Sequence, residues 1–364
     1  MAGDGHKGGE GLAFGLASDV VSLDLVGSSV PDPIQIDEES VDALAHELDR
    51  HRVLGVAVRR LEDGRLVGPE SLHKGIIDRH DTVMTQTLRT ELMVVRASSM
   101  LADAGIEHRL LKGAGLAHTI APSAMERSFR DVDVLIRSDE IEAAIALFLK
   151  AGATRLQPEL RPGFDRRFSK SVTLRLDDVE IDLHRLLASG PFGVWMNPLD
   201  LFVLKRDIEL AGRSVPTLDP TDHLLHACYH VALGQLNPVL SNLRDIALLA
   251  HGPIDELRFQ EVAARWQGVA VIQRAVTLVE SGIDVDLPDW LAQYRHSDVE
   301  QDALDALEPY LSDSPGGRFA DLAPATLKAL PMGDRPAFAL AVGFPSGSDP
   351  VDRVRSMIKK LPSD

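Results

Sequence analysis

The chain has 364 residues, 45% hydrophobic and 26% charged, with a formal net charge of −17 and one cysteine. That balance is globular, on the scale of about two domains, and it excludes an internal disulfide framework, an all-cysteine zinc site and a generally basic, nucleic-acid-coating surface, though not a local basic groove. No stretch approaches the ~18 apolar residues that span a bilayer, Met1 to Leu12 lacks the apolar core of a signal peptide, and the lone Cys228 fits a cytoplasmic protein.

Residues 1–35 are expected to form a flexible, loosely ordered arm. Residues 36–105 read as a helical N-terminal region. Val41, Leu44, Leu48, Val53 and Val56 recur at mixed three and four spacing, which predicts an amphipathic helix pair, broken at Gly64 and Gly68-Pro69. A long helix follows from Leu72 to Ala104, striped by Ile77, Val83, Leu88, Leu92, Val95 and Leu101 and stopped at Gly105. Residues 106–190 change texture to an α/β core. Ile106 to Leu111 reads as a strand, Lys112-Gly113-Ala114-Gly115 as a turn and Leu116 to Ala121 as a small-residue helix. Val132, Val134 and Ile136 alternate along a second strand, and a helix capped at Ser138 runs to Lys150. Residues 155–170 are irregular, and Val172 to Leu176 and Val179 to Leu183 form a hairpin about Asp177-Asp178. Residues 191–364 read as a helical C-terminal domain, with helices at Pro198 to Ala211, Asp222 to Gly234, Leu240 to His251, Ile254 to Gln267 and Val269 to Ser281, then a Pro- and Gly-containing tail from Pro315. The fold class is α+β: a short mixed sheet with helices, flanked by helical regions.

Side chains alternate along a strand, so Asp131 and Asp133 share one face while Val132, Val134 and Ile136 point into a core. The later strand repeats the device, with Glu180, Asp182 and His184 on one face. If the two strands are neighbours, Asp131, Asp133 and Asp182 converge. Carboxylates side by side repel unless a cation sits between them, and hard oxygen ligands suit Mg²⁺ or Mn²⁺. A solvated sheet face is the competing reading. Upstream, the Lys112–Gly115 turn joins a strand to a helix, where glycines permit close approach of a phosphate and Lys112 adds a compact charge. It is not a P-loop, because the lysine precedes the glycines. Arg127 and Arg130, just before the acidic strand, could neutralise phosphate or pair with a carboxylate. Residues 155–170 carry a local positive excess that could hold triphosphate or an RNA acceptor, or form a solvated loop. His226 and His230 lie four apart on one helix; a zinc pair, a contact from His230 to Asp245 and a place in the cleft are the alternatives. His184 could order Asp182, contact nucleotide or pack structurally.

Leu110-Leu111-Lys112-Gly113, Arg127-Ser128-Phe129-Arg130-Asp131-Val132-Asp133-Val134-Leu135-Ile136 and Glu180-Ile181-Asp182-Leu183-His184 together resemble an uncharacterised nucleotidyltransferase family of the DNA-polymerase-beta-like nucleotidyltransferase superfamily. Thr87 to Gly105 and Leu224 to Leu249, with His226, His230, Arg244 and Asp245, match the same pattern, so the resemblance spans roughly residues 40–280. It implies a polymerase-beta-like core closed by a helical region. It also implies transfer of NMP from an NTP, with ATP a candidate, to an RNA, protein or small-molecule acceptor, with release of pyrophosphate. Asp131, Asp133 and Asp182 would hold Mg²⁺ or Mn²⁺, with Asp182 helping to deprotonate the acceptor. Lys112, Gly113, Ala114, Gly115, Arg127, Arg130 and His184 would bind nucleotide. The superfamily's Gly-Ser phosphate motif is here Lys112-Gly113-Ala114, without a hydroxyl, and a fold-retaining nucleotide- or partner-binding protein without turnover is the alternative.

Overall fold

In a computed structural model, which describes residues 4–234, 236–311 and 318–343, seven strands form one mixed sheet in the order β5-β6-β7-β4-β3-β9-β8. They are β3 (His108–Leu110), β4 (Asp131–Ile136), β5 (Thr154–Arg155), β6 (Ser171–Leu176), β7 (Val179–His184), β8 (Arg206–Leu210) and β9 (Arg213–Thr217). A separate parallel pair, β1 (Ile34–Gln35) and β2 (Leu66–Val67), ties the N-terminal region together. The helices, in chain order, begin with α1 (Asp4–Ser22), α2 (Val41–Arg50), α3 (Leu54–Glu62), α4 (Glu70–Asp103), α5 (Ala114–Ala117), α6 (Ile141–Lys150), α7 (Phe164–Arg167) and α8 (Gly190–Trp195). They continue with α9 (Pro220–Gly234), α10 (Leu240–Ala250), α11 (Glu256–Arg265), α12 (Val269–Gly282), α13 (Asp289–Ala292), α14 (Gln301–Leu307), α15 (Arg318–Ala329) and α16 (Arg335–Gly343).

The sheet separates two cores. On one face Val132, Val134, Ile136 and Ile181 pack with Val94, Ala97 and Leu101 of α4 and Ile145 and Phe148 of α6. On the other, Leu135 joins the larger core built by α1–α3 and α9–α12. Asp131 and Asp133 alternate with the first set, so period two turns them toward the helical side. There α9 lies central, buried almost all round, which is why its sequence shows no clean polar face.

Several expectations change. The segment read as an arm is largely the helix α1: Ala13, Ala17, Val20 and Val21 are buried, and Ser18 donates a hydrogen bond to the Gly282 carbonyl at 2.8 Å. Small side chains, weak as a periodic signal, allow that close packing; residues 1–3 lie outside the described residues. Residues 198–211 are not one helix but a 3₁₀ turn, Pro198–Phe202, followed by β8, which pairs with β9 around Ala211 and Gly212, both at positive φ. Ile208 and Leu210 point inward between exposed Asp207 and Glu209, a strand alternation. The sheet therefore extends past residue 190. The helix read at 116–121 is the shorter α5, the helix expected from Ser138 begins at Ile141, and the irregular 155–170 stretch contains α7.

On α4 the buried face is Ile76, His80, Met84, Thr87, Thr90, Val94, Ala97 and Leu101, whereas Ile77, Leu88 and Leu92 are exposed. Thr87 and Thr90 bury without an unmet group because each hydroxyl donates to a carbonyl four residues earlier. Asp177 and Asp178 take positive φ in the β6–β7 turn, as a two-residue hairpin requires. Of the tail, residues 312–317 and 344–364 lie outside the described residues.

Candidate active site

Strands β4 and β7 run parallel and adjacent, and their register sets Asp131 opposite Glu180, Asp133 opposite Asp182 and Leu135 opposite His184. Facing pairs in neighbouring strands put their side chains on one face, so the expected convergence of Asp133 and Asp182 follows from the register. Ligand atoms of Asp133, Asp182 and His184 lie within 4.8 Å of one another. Asp131 stands at the open end of the row, and the Lys112 ammonium reaches both strand carboxylates, 3.4 Å from Asp131 Oδ2 and 3.0 Å from Asp133 Oδ2. The His184 Nε2–H donates to Asp133 Oδ1 at 2.9 Å, and Thr173 on β6 donates its hydroxyl to Asp182 Oδ1.

The electrostatics follow from burial and this arrangement. Burial by itself would raise the Asp133 pKa, but the Lys112 ammonium and the His184 hydrogen bond more than offset it and hold the carboxyl far below its usual range. Asp131 is raised, first by burial and then by the Asp133 charge, with Lys112 opposing. Burial opposes the Lys112 charge, yet the two aspartates raise its pKa. Three carboxylates against one ammonium leave two negative charges, which matches one divalent cation in charge and in oxygen-donor chemistry. The residues therefore fit Mg²⁺ or Mn²⁺. His184 stands inside the donor cluster; the alternation along β7 placed it on that face.

The other candidates fall differently. Gly113, at φ +58°, opens α5, and Gly115 faces the protein interior, where an added Cβ would meet Thr217 Oγ1 at 2.6 Å. Gly113, Ala114 and Gly115 are all buried, so of this turn it is Lys112 that reaches the acidic row. Arg127 is clamped by Asp245 of α10 through its Nε, at 2.9 and 3.0 Å, and its Nη2, at 2.6 Å. Asp245, one of the alternative partners considered for His230, is taken by that guanidinium. Arg130 is exposed and lies 3.8 Å from Asp49. His226 and His230 from α9 stand beside the acidic site without joining its donor cluster, and burial pushes both imidazoles well below their usual pKa.

Sequence reasoning missed the role of Asp245, 118 positions away from Arg127, and of Thr173, whose alternation on β6 could have placed it beside Asp182. No helix among the described residues is long and apolar enough to cross a membrane. No curated protein matches the chain. A crystal structure of an antigenic nucleotidyltransferase-like protein from Paracoccidioides brasiliensis is similar at 13% identity and a TM-score of 0.31, over 57% of this chain and 95% of that one. The pattern of the family described as uncharacterised nucleotidyltransferase matches residues 37–281, a span that holds every residue of the acidic site, and the chain belongs to that family.

Proposed function

We propose that the protein is a divalent-metal-dependent nucleotidyltransferase that moves an NMP from an NTP to an acceptor and releases pyrophosphate, on a core of polymerase-beta type. The observation that carries this reading is Asp133 set opposite Asp182 in parallel register, with Asp131 beside them and Lys112 as the ammonium against three carboxylates. Asp131, Asp133 and Asp182 would hold Mg²⁺ or Mn²⁺, which when bound supplies positive charge against the triphosphate and the departing pyrophosphate. Lys112 exchanges its carboxylate partners for triphosphate oxygens. His184 keeps Asp133 oriented, and Asp182 accepts the proton of the attacking group. Arg130 stands at the entrance to the acidic strand, while Arg127 acts through the frame that holds that strand.

The test is incubation with each α-labelled NTP, Mg²⁺ or Mn²⁺ and candidate acceptors, the protein itself among them. Asp182→Asn should lower transfer by about 10²–10⁴-fold, the scale of a lost general base, while NTP binding, which Asp131, Asp133 and Lys112 still serve, falls far less. Equal transfer by wild type and variant would remove Asp182 from the chemistry. Ala114, which offers no hydroxyl after Gly113, favours a second reading, a nucleotide-binding protein without turnover. Tight NTP binding with no transfer to any acceptor would establish it.

A further inference from the structure

A cleft of about 270 Å³ lies between the end of β7, helix α8 and the turn that joins α15 to α16. That is just under the ~300–1,000 Å³ of drug-sized ligand sites, so it suits a small molecule. Among the described residues none of the acidic row lines it. Arg185, which directly follows His184, does.

Charge decides what the cleft can hold. Arg167 and Asp334 cancel: the guanidinium donates to Asp334 Oδ1 at 2.6 Å and lies over the Phe168 ring, 4.9 Å from its centroid. Arg185 has no such counter-ion. Its Nε donates to the Ser169 carbonyl at 3.0 Å, and among the described residues neither of its terminal amino groups makes a hydrogen bond or an ion pair. The side chain is half-buried; burial works against its charge, and no neighbouring carboxylate offsets that. Two guanidiniums against one carboxylate therefore leave the cleft with one positive charge, on a planar fork whose outer amino groups are uncommitted. The Ser138 and Ser189 hydroxyls, which make no hydrogen bond among the described residues, add donors, whereas Thr326 gives its proton to the Leu322 carbonyl at 2.6 Å. The rest of the wall is apolar or glycine, with Leu186, Val194, Met196 and Leu330 the largest aliphatic surfaces.

We propose that this cleft binds a small monocarboxylic acid with an apolar body, its carboxylate on the Arg185 fork. One negative charge matches one uncompensated cation, and a carboxylate pairs with a guanidinium through two parallel N–H···O bonds. An amine meets a positive cleft in which the carboxylate, Asp334, is already taken. A neutral molecule leaves the Arg185 charge unmatched. A phosphomonoester brings about −1.5 to −2 charges, more than this cleft balances. The site is separate from the acidic one, and the inference does not depend on the nucleotidyltransferase reading.

The experiment is NMR titration of the full chain with four probes that share one alkyl group or chain length: hexanoate, hexyl phosphate, hexylamine and 1-hexanol. Hexanoate should bind tightest and raise the melting temperature. Arg185→Met should weaken it by about tenfold or more, the value of a charge-assisted hydrogen bond, and Arg185→Lys, which keeps the charge and loses the fork, by less. The lysine variant keeps the test alive if the methionine variant does not fold. Asp182→Asn should bind hexanoate as wild type does, because the acidic site takes no part. Hexyl phosphate bound more tightly than hexanoate would reassign the cleft to a phosphoryl group and overturn the proposal. Hexanol or hexylamine bound as tightly as hexanoate would remove Arg185 from recognition and overturn it too. So would hexanoate that binds wild type and both Arg185 variants equally, that is lost with Asp182→Asn, or that does not bind at all.

Discussion

Glu126 and Arg127 belong to one cluster of buried charge, Asp131 and Asp133 to another, and three residues of chain separate opposite solutions to the same problem. In the first, Arg127 is clamped by Asp245, Glu126 is held by Arg59 and Arg244, and Asp24 is held by Arg60 and Arg244. Arg127 on Asp245 and Arg244 on Asp24 are bidentate, and Asp63, reached by Arg59 and Arg60, brings the cluster to four guanidiniums and four carboxylates, so its charge balances without a cation. In the second, one ammonium contacts Asp131 and Asp133, and Asp182 beside them has the Thr173 hydroxyl. Guanidiniums have fixed forks that lock partners in place, whereas an ammonium is a point charge that can change partners. The first cluster fixes the entry to β4; the second keeps carboxylates in excess of its one ammonium, which is what the proposed cation site requires.

The largest test of that contrast is on the closed cluster. Arg127→Met should cost about 3–5 kcal/mol of stability, because it strands Asp245 without its partner, and the double variant Arg127→Met with Asp245→Leu should recover most of it. Chemical denaturation reads both. A small loss in the single variant would mean that the clamp is not the structural member of the comparison. Next is Lys112→Met, which removes the cation facing the acidic row. The metal-free variant should lose about 2–3 kcal/mol, and millimolar Mn²⁺ should restore its melting temperature more than it shifts wild type. No added response to Mn²⁺ would show that the open cluster is not a cation site.

The smallest effect serves as a control for pH. His51 lies outside both clusters and accepts the Leu240 backbone N–H at Nδ1, which requires a neutral ring. Burial, then the Arg50 charge, lowers its pKa to about 4 against an ordinary value of 6.5. A depressed histidine contributes stability that is present above its unfolded pKa and declines as pH falls from 6.5 toward 4. His51→Gln should flatten that part of the wild-type stability profile by on the order of 2 kcal/mol. An unchanged slope would move the acid sensitivity to the two charge clusters.

The two acidic faces were legible because strand alternation is a local rule: Val132 and Val134 inward forced Asp131 and Asp133 onto the opposite face, while the parallel pairing of β4 with β7 that brings Asp182 to them is non-local and stood only as a condition. The helix pair at 41–62 and the β6–β7 hairpin were legible for the same reason. The β8–β9 hairpin was not, because Leu199, Leu201, Phe202 and Leu204 carry a helix-like spacing into a segment whose real signal, Ile208 and Leu210, is two residues long. The buried face of α4 was hidden because its threonines satisfy themselves within the helix. The clamp on Arg127 was hidden because its partner lies 118 positions away, and nothing in local spacing names such a partner.

Helix α1 carries a consequence for how the chain is made. Its last turns dock on residues that come far later: Ser18 on Gly282, 264 positions on, and the Val21 carbonyl on Arg244, 223 positions on. A ribosome adding ~5–20 residues per second takes on the order of 10–50 s to supply those partners. For that interval α1 has α2 and α3 to pack on, and the part of its apolar surface that meets α10 and α12 stays uncovered. A chain stalled before α10 and α12 emerge therefore leaves that part of α1 open to chaperones and proteases.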